Sequence, residues 1–234
     1  MQIKFHDLEP PKLAQPRSER AQNAFEILLR ARESADALLK AYDLYRAERG
    51  HIGGISTDAE QDMLRAMLVM AAAGLDATAK QLVKDCLPTL AKKKGRVREG
   101  LEKFIARSIR PEDEATDSPS GPRFLGRVLA AGSTQDAVIE EYVRELTGGS
   151  LQSADQVFRV FSALGLPTDK IDRSRLQEIF LVRNKIIHEL DIALEKKGRK
   201  RIHRGLDEMM RDANYLLELS ALQIRGVDVA LESA

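Results

Sequence analysis

The chain has 234 residues, which is enough for one large domain or a domain with an extension and excludes a disulfide-held miniprotein. Its 37 basic and 36 acidic residues give a net charge of +1, so overall charge indicates no particular partner, and 43% hydrophobic residues exclude a disordered or collagen-like chain. The single cysteine, Cys86, excludes an intrachain disulfide and a cysteine-rich zinc site. The longest apolar run, 66–75, is shorter than the roughly 20 residues of a membrane helix, and the polar, proline-containing start is unlike a signal peptide. We therefore expect a cytoplasmic protein with no membrane helix.

Proline positions and composition predict an all-α fold. The windows 17–87, 123–166 and 168–234 lack proline, are rich in Ala, Leu, Glu, Lys, Gln and Arg, and contain few β-branched runs of period two. We expect helices at about 18–49, 57–88, 123–147 with a break near 132–133, 150–165, 172–197 and 201–230. Short links between them predict an antiparallel helical bundle.

Three parts of the chain are predicted from this pattern: an N-terminal tail at 1–17, an N-terminal helical extension at 18–56 and a main helical domain at 57–230. A capping box, Thr57 to Glu60, is expected to open the first helix of the main domain. Prolines and acids are concentrated in 110–122, and this composition predicts a mobile insertion between helices.

The helix expected at 172–197 carries an arginine among apolar residues. On a helical projection, Arg183 shares a stripe with Leu176, Ile179, Phe180, Ile187, Leu190 and Leu194. Because burying an unpaired charge costs several kcal/mol, about the scale of a whole fold's stability, Arg183 requires an anion, a partner chain or a polar cleft. A structural ion pair with Glu178 or Asp76 is the alternative.

His188 follows Arg183 by five residues, which separates the two side chains by about 140° on a straight helix. Asn184 and His188, four residues apart, share a face. A joint function of Arg183 and His188 would therefore need a distorted helix or a second copy of the segment brought up by a dimer axis.

The segment Leu181-Val-Arg-Asn-Lys-Ile-Ile-His-Glu-Leu190 resembles the R-[polar]-x(3–5)-H motif of the HEPN superfamily, a group of all-α domains that includes prokaryotic toxins and antiviral ribonucleases. The resemblance covers about 57–230 in helix order and is specific over ten residues. It implies a HEPN-like bundle that acts on RNA as a homodimer and cleaves it without metal or cofactor. Arg183, Asn184 and His188 would form a composite catalytic site across the dimer interface.

The same resemblance implies a function in defence or stress response, with an antitoxin or regulatory protein as a further partner. In one subgroup the motif continues as His-x-Tyr, and the tyrosine is modified with AMP. Leu190 stands at that position here, so this mode of control is not expected.

The residue types suit the implied chemistry. An imidazole can exchange a proton near neutral pH with a 2′-hydroxyl or a leaving 5′-oxygen, and a guanidinium presents donors that match phosphate oxygens. Cleavage by the 2′-hydroxyl would leave a 2′,3′-cyclic phosphate.

Two alternatives stay open: a noncatalytic HEPN-like module that binds RNA, a nucleotide or a protein, and a helical adaptor that assembles through 18–52.

Two basic runs are candidates for contact with the RNA backbone. The first follows the motif and contains Lys196, Lys197, Arg199, Lys200, Arg201 and Arg204; the second is 92–98. A solvated turn is the alternative for each. Aromatic residues are few, so base stacking is not predicted. We expect His6, His51 and His203 to lie outside the site and no metal to be bound.

Overall fold

The computed structural model describes residues 5–50, 56–93, 95–109, 121–193 and 200–232. Its helices are α1 (Glu19–Glu48), α2 (Asp58–Leu90), α3 (Arg96–Ser108), α4 (Gly121–Ala130), α5 (Thr134–Thr147), α6 (Ala154–Ala163), α7 (Arg173–Glu189) and α8 (Leu206–Glu232). Apart from one isolated bridge, Ile192 to Arg201, the described ranges contain no β-structure. The predicted all-α helical bundle is therefore confirmed.

Most of the predicted helices are present, and three differences have local causes. Helix α2 includes Pro88, which lies in its last turn and therefore leaves the hydrogen bonds of most of the helix intact. Helix α3 was not predicted, although Leu101 and Phe104 give it a buried face. Helix α7 ends at Glu189 rather than near 197, because the following residue adopts a left-handed conformation. Most of the predicted insertion, 110–120, lies outside the described residues.

Three long helices, α1, α2 and α8, form the centre of the molecule. Asn23 donates to Asp85 (3.0 Å) and Arg49 to Glu60 (2.9 Å), so α1 and α2 are antiparallel. Helix α8 runs in the same direction as α2, because the starts of the two helices lie together and so do their ends. The core residues between these helices are small or aliphatic and fully buried, among them Ala24, Leu28, Leu39, Leu68, Leu75, Leu216 and Ile224.

The N-terminal arm, residues 5–18, lies along this helical centre. Its backbone N–H groups donate to carboxylates: His6 to Asp43 (2.6 Å), Leu8 to Asp36 (2.9 Å) and Ser18 to Asp228 (2.8 Å). The side chain of Leu8 is fully buried. In the structure, α1 and the arm belong to the same hydrophobic core as α2. The division into a helical extension and a main domain at residue 56 stays a prediction.

Helices α3, α5, α6 and α7 contact α2 and position the candidate site, and α4 packs on α5. Helix α7 contacts both α2 and α6, and α6 also contacts α3. Serine side chains cap α5 and α6, since Ser133 accepts from the N–H of Asp136 and Ser153 from that of Gln156. These caps fix where each short helix begins.

By length and composition, α2 could cross a membrane, and it is the single helix of the described ranges that meets this test. Over half of its most apolar window is buried inside the protein, as is usual for the core helix of a soluble protein. The described residues are thus compatible with a soluble protein.

Candidate functional site

The first half of α7 anchors the motif in the core. Asp172 caps the helix, its side chain accepting from the N–H of Arg175 at 3.0 Å. Leu176, Ile179 and Phe180 are buried, as their positions on the apolar stripe predicted. These contacts fix the direction in which the rest of the helix extends.

The second half of α7 contacts the core through the partly buried Val182 and Ile186 rather than through the predicted Ile187 and Leu190, which corrects part of the predicted stripe. Ile187 and Leu190 are 40% and 64% exposed, and Leu181 is also exposed. The reason is that Ile186, one position earlier than Ile187, packs against the core and turns Ile187 and Leu190 toward solvent. Leu194 lies outside the described residues. The motif is thus surrounded by apolar side chains that face solvent.

Arg183 is half-buried and has no acidic partner among the described residues. Its Nη1 donates to the Oδ1 of Asn184 at 2.9 Å, while its Nε is buried without a hydrogen bond. Of the alternative partners, Asp76 instead pairs with Lys80 (2.8 Å), and Glu178 forms no ion pair with Arg183. The positive charge of Arg183 is therefore not neutralised within the described part of the chain.

Asn184 connects Arg183 to the segment that precedes α6. Its Nδ2 donates to the carbonyl oxygen of Gln152 at 3.0 Å, and its Oδ1 accepts from Arg183. The neighbouring N–H of Leu151 donates to Asp76 at 2.9 Å, which holds this segment against α2. Asn184 thus positions the guanidinium in this structure, a contact that the sequence motif did not predict.

His188 lies on the last turn of α7 and is exposed, and its side chain makes no hydrogen bond within the described residues. Helix α7 is continuous from Arg173 to Glu189, so no distortion brings His188 toward Arg183. Five residues of straight helix separate them by about 7.5 Å along the axis and about 140° around it. Within one chain the two side chains project from different faces.

A buried charge network ends α7. Leu190 and Asp191 both have positive φ, 52° and 58°, and the N–H of Asp191 donates to the carbonyl of Lys185. The carboxylate of Asp191 is fully buried, with Arg65 Nε at 3.1 Å and Arg204 Nη2 at 2.7 Å. Arg65 also donates to Asp62, at 3.1 Å. The chain therefore turns back sharply after the motif.

The structure describes three of the six predicted RNA-binding residues, and two of these make internal ion pairs. Arg204 pairs with Asp191, and Arg201 pairs with Asp62, which lowers the pKa of that carboxyl. Lys200 is exposed. Lys196, Lys197 and Arg199 lie outside the described residues. RNA contact by this run stays a prediction, now centred on Lys200 and the three undescribed cations.

Cations of the second basic run point in several directions. Lys92 pairs with Asp136 at 2.8 Å, Lys93 donates to the carbonyl of Ala230 at the end of α8, and Arg98 pairs with Glu102. Lys94 lies outside the described residues. This part of the run does not form a continuous patch.

The other histidines lie away from the motif, where the structure describes them. His6 contacts Asp43 through Nδ1 at 2.8 Å, His203 is exposed, and His51 lies outside the described residues. No group of three His, Cys, Asp or Glu side chains in the described ranges could hold a metal ion.

A cavity of about 200 Å³ lies beside Asn184, between α7 and the start of α6. Its walls include the polar residues Gln152, Asp155 and Gln177 and the apolar residues Phe180 and Leu181.

Comparison with known proteins adds no relative: no family model, no curated protein and no solved structure matches this chain.

Proposed function

We propose that this protein is a cytoplasmic, metal-independent endoribonuclease of the HEPN type that works as a homodimer in defence or stress response. Arg183 carries the proposal, because it is a half-buried guanidinium with no acidic partner among the described residues and with a buried Nε that lacks a hydrogen bond. Because Nε is buried and Nη1 contacts Asn184, the donor offered to a phosphate oxygen is Nη2, which makes no hydrogen bond to a described residue.

In the proposed reaction, a 2′-hydroxyl of the RNA attacks the adjacent phosphorus, and the bond to the 5′-oxygen breaks. The exposed imidazole of His188 accepts the hydroxyl proton or donates one to the leaving oxygen, while Arg183 stabilises charge on the phosphate. Asn184 holds the guanidinium. The products are a 2′,3′-cyclic phosphate and a 5′-hydroxyl, and no metal takes part.

In this proposal, a second copy of the chain provides the histidine that one chain does not place beside its own arginine. Since α7 is continuous, Arg183 and His188 of one chain project from different faces, and a two-fold axis near the motif would bring Arg183 of one copy to His188 of the other. The exposed Leu181, Ile187 and Leu190 offer an apolar surface for such contact. The adaptor alternative is less well supported, because the apolar face of α1 is buried in the core.

RNA cleavage in EDTA tests the catalytic proposal. We expect purified protein to produce cyclic-phosphate ends, and His188→Ala to lower the rate by about 10²- to 10⁴-fold, as for loss of a general acid–base group. His203→Ala, which removes an exposed histidine outside the motif, is the matched control and should retain full activity. An inactive wild type, or an equally active His188→Ala protein, would refute catalysis; binding without cleavage would favour the noncatalytic module.

Mixing inactive variants tests the composite site. Arg183→Lys and His188→Ala proteins, refolded together, should regain about a quarter of the wild-type sites, because half of the dimers are mixed and each has one intact pair. A site formed within one chain would stay inactive in every combination, and that result would contradict the dimer arrangement.

A further inference from the structure

A second, larger cavity lies between α3, α5, α6 and the segment that joins α6 to α7. Its volume is about 600 Å³, within the range of roughly 300–1,000 Å³ that is usual for small-molecule sites. No residue of α7 lines it, and it shares no lining residue with the cavity beside Asn184. We call it the α3–α6 cavity.

The walls of the α3–α6 cavity carry an excess of positive charge. Four cations line it, Arg96, Lys103, Arg107 and Arg159, against two acids, Glu99 and Asp169. Arg107 and Arg159 both pair with the one carboxylate of Glu145, outside the lining. Burial and the nearby Arg107 lower the pKa of Arg159, which indicates that the two guanidinium groups repel each other and would be stabilised by a further anion.

The two remaining cations have no partner among the described residues. Neither Arg96 nor Lys103 makes a hydrogen bond or an ion pair to a described residue. They are seven residues apart on α3, so they lie two turns apart on one face of the helix, and that face lines the cavity. Within the described part of the chain, no acceptor occupies the donors of either side chain.

The hydroxyl of a largely buried tyrosine completes the cavity wall. Tyr142 is 6% exposed and stacks on Phe104 with ring centroids 4.9 Å apart, yet its hydroxyl makes no hydrogen bond to a described residue. Gly100 leaves this hydroxyl accessible, since a Cβ there would lie 3.3 Å from the oxygen. Burial raises the pKa of Tyr142, so the hydroxyl keeps its proton and remains a donor at neutral pH.

We propose that the α3–α6 cavity binds a phosphate-bearing small molecule of about mononucleotide size. Guanidinium and ammonium groups only donate hydrogen bonds and a tyrosine hydroxyl can donate one, which suits phosphate oxygens, and the excess of cations favours a ligand with two or more negative charges. Arg96 and Lys103 bind the phosphate oxygens from α3, and the Tyr142 hydroxyl donates from the buried wall. The site is independent of catalysis at the motif.

Titration calorimetry of the full chain tests this proposal with pyrophosphate and ATP as probes, citrate as a polyanion without phosphate, and a short single-stranded RNA. We expect saturable binding of pyrophosphate or ATP at one site per chain, and weaker binding of citrate. Arg96→Gln with Lys103→Gln should weaken the affinity about tenfold or more, and Tyr142→Phe, which keeps the ring stacking, about three- to tenfold.

Lys84→Gln is the matched control, because it removes an exposed cation of α2 outside the cavity and should leave the affinity within about twofold. Circular dichroism would verify that each variant is folded. The proposal is overturned if the wild type binds neither phosphate probe, if it binds RNA alone, or if citrate binds equally well. Equal losses in Lys84→Gln, or an unchanged affinity in Tyr142→Phe, would also overturn it.

Discussion

At the residue scale, Asp191 is the point on which the geometry after the motif depends. Its carboxylate has no exposed surface and is shared by Arg65 and Arg204, two side chains that are far apart in sequence. Charges removed from water are tolerated only when they are paired and hydrogen-bonded. Asp191 therefore holds the end of α7 against α2 through these two ion pairs.

Replacing Asp191 with Asn should destabilise the protein by about 3 kcal/mol, because Arg204 would lose its carboxylate partner and the buried Arg65 would keep only the half-exposed Asp62. Urea unfolding followed by circular dichroism measures the free energy of unfolding. Asp62→Asn is the control: its side chain is about half exposed, and its loss should cost only about 0.5 kcal/mol. Equal losses in the two variants would show that burial does not govern this network.

Acid should also weaken the Asp62 contact. The hydrogen bond from Arg201, followed by that from Arg65, lowers the pKa of Asp62 from its ordinary value of 3.8. Since the folded-state pKa is the lower one, the stabilisation is present above pH 3.8 and is lost as the pH falls through the folded pKa.

At the element scale, α2 shows how local signals and packing combine. Thr57 accepts from the N–H of Glu60, and the Glu60 carboxylate accepts from the N–H of Thr57 at 2.7 Å, as the capping box predicted. The same carboxylate is buried and pairs with Arg49 at the end of α1. One side chain therefore closes the start of α2 and links it to the helix before it.

Thr57→Ala should lower the free energy of unfolding by about 1 kcal/mol, because an N–H at the start of α2 loses its acceptor. Thr57→Ser keeps the hydroxyl and should cost far less. Thermal or urea unfolding of both variants distinguishes loss of the cap from loss of side-chain packing, and a serine variant as unstable as the alanine variant would contradict the capping argument.

At the scale of the whole molecule, α1, α2 and α8 form one cooperative core, and Cys86 lies inside it. The thiol is buried where the end of α2 meets the start of α1, and its Sγ contacts the carbonyl oxygen of Arg20 at 3.4 Å. Burial, with a further contribution from Asp85, raises the pKa of Cys86 to about 12. A protonated and enclosed thiol is inert.

We therefore expect Cys86 to react slowly with a thiol reagent in the native protein at pH 8 and rapidly in concentrated urea. Because this is the single cysteine of the chain, the reaction reports opening of the core without interference. Absorbance after addition of a disulfide reagent measures the rate, with Cys86→Ser as the blank. Rapid labelling under native conditions would show that the contact between α1 and α2 opens without global unfolding.

Much of the fold could be predicted because helix formation has local signals. Caps, proline positions and apolar periodicity located most of the helices. The end of α7 could not be predicted, since it depends on Asp191 meeting Arg65 and Arg204, which is a tertiary contact. Helix α3 could not be predicted from its basic start, which is equally typical of a solvated turn, although Leu101 and Phe104 are spaced for a buried face.

The candidate site, too, could be predicted only where its features depend on local sequence. Arg183, Asn184 and His188 were recognised from their spacing on one helix, whereas the contact of Asn184 with Gln152 requires a segment about thirty residues earlier in the chain. The exposure of Ile187 and Leu190 was also unpredicted, because helical periodicity shows which residues share a face and not how far the core extends along it.

The N-terminal arm has a consequence for how the protein withstands trimming. A chain cut before Ser18 would uncover the pocket that Leu8 fills and would leave the carboxylates of Asp36 and Asp43 without their backbone donors. The part of the predicted tail that the structure describes is thus fixed to the helices, and a protease would have to detach it before cleaving within it.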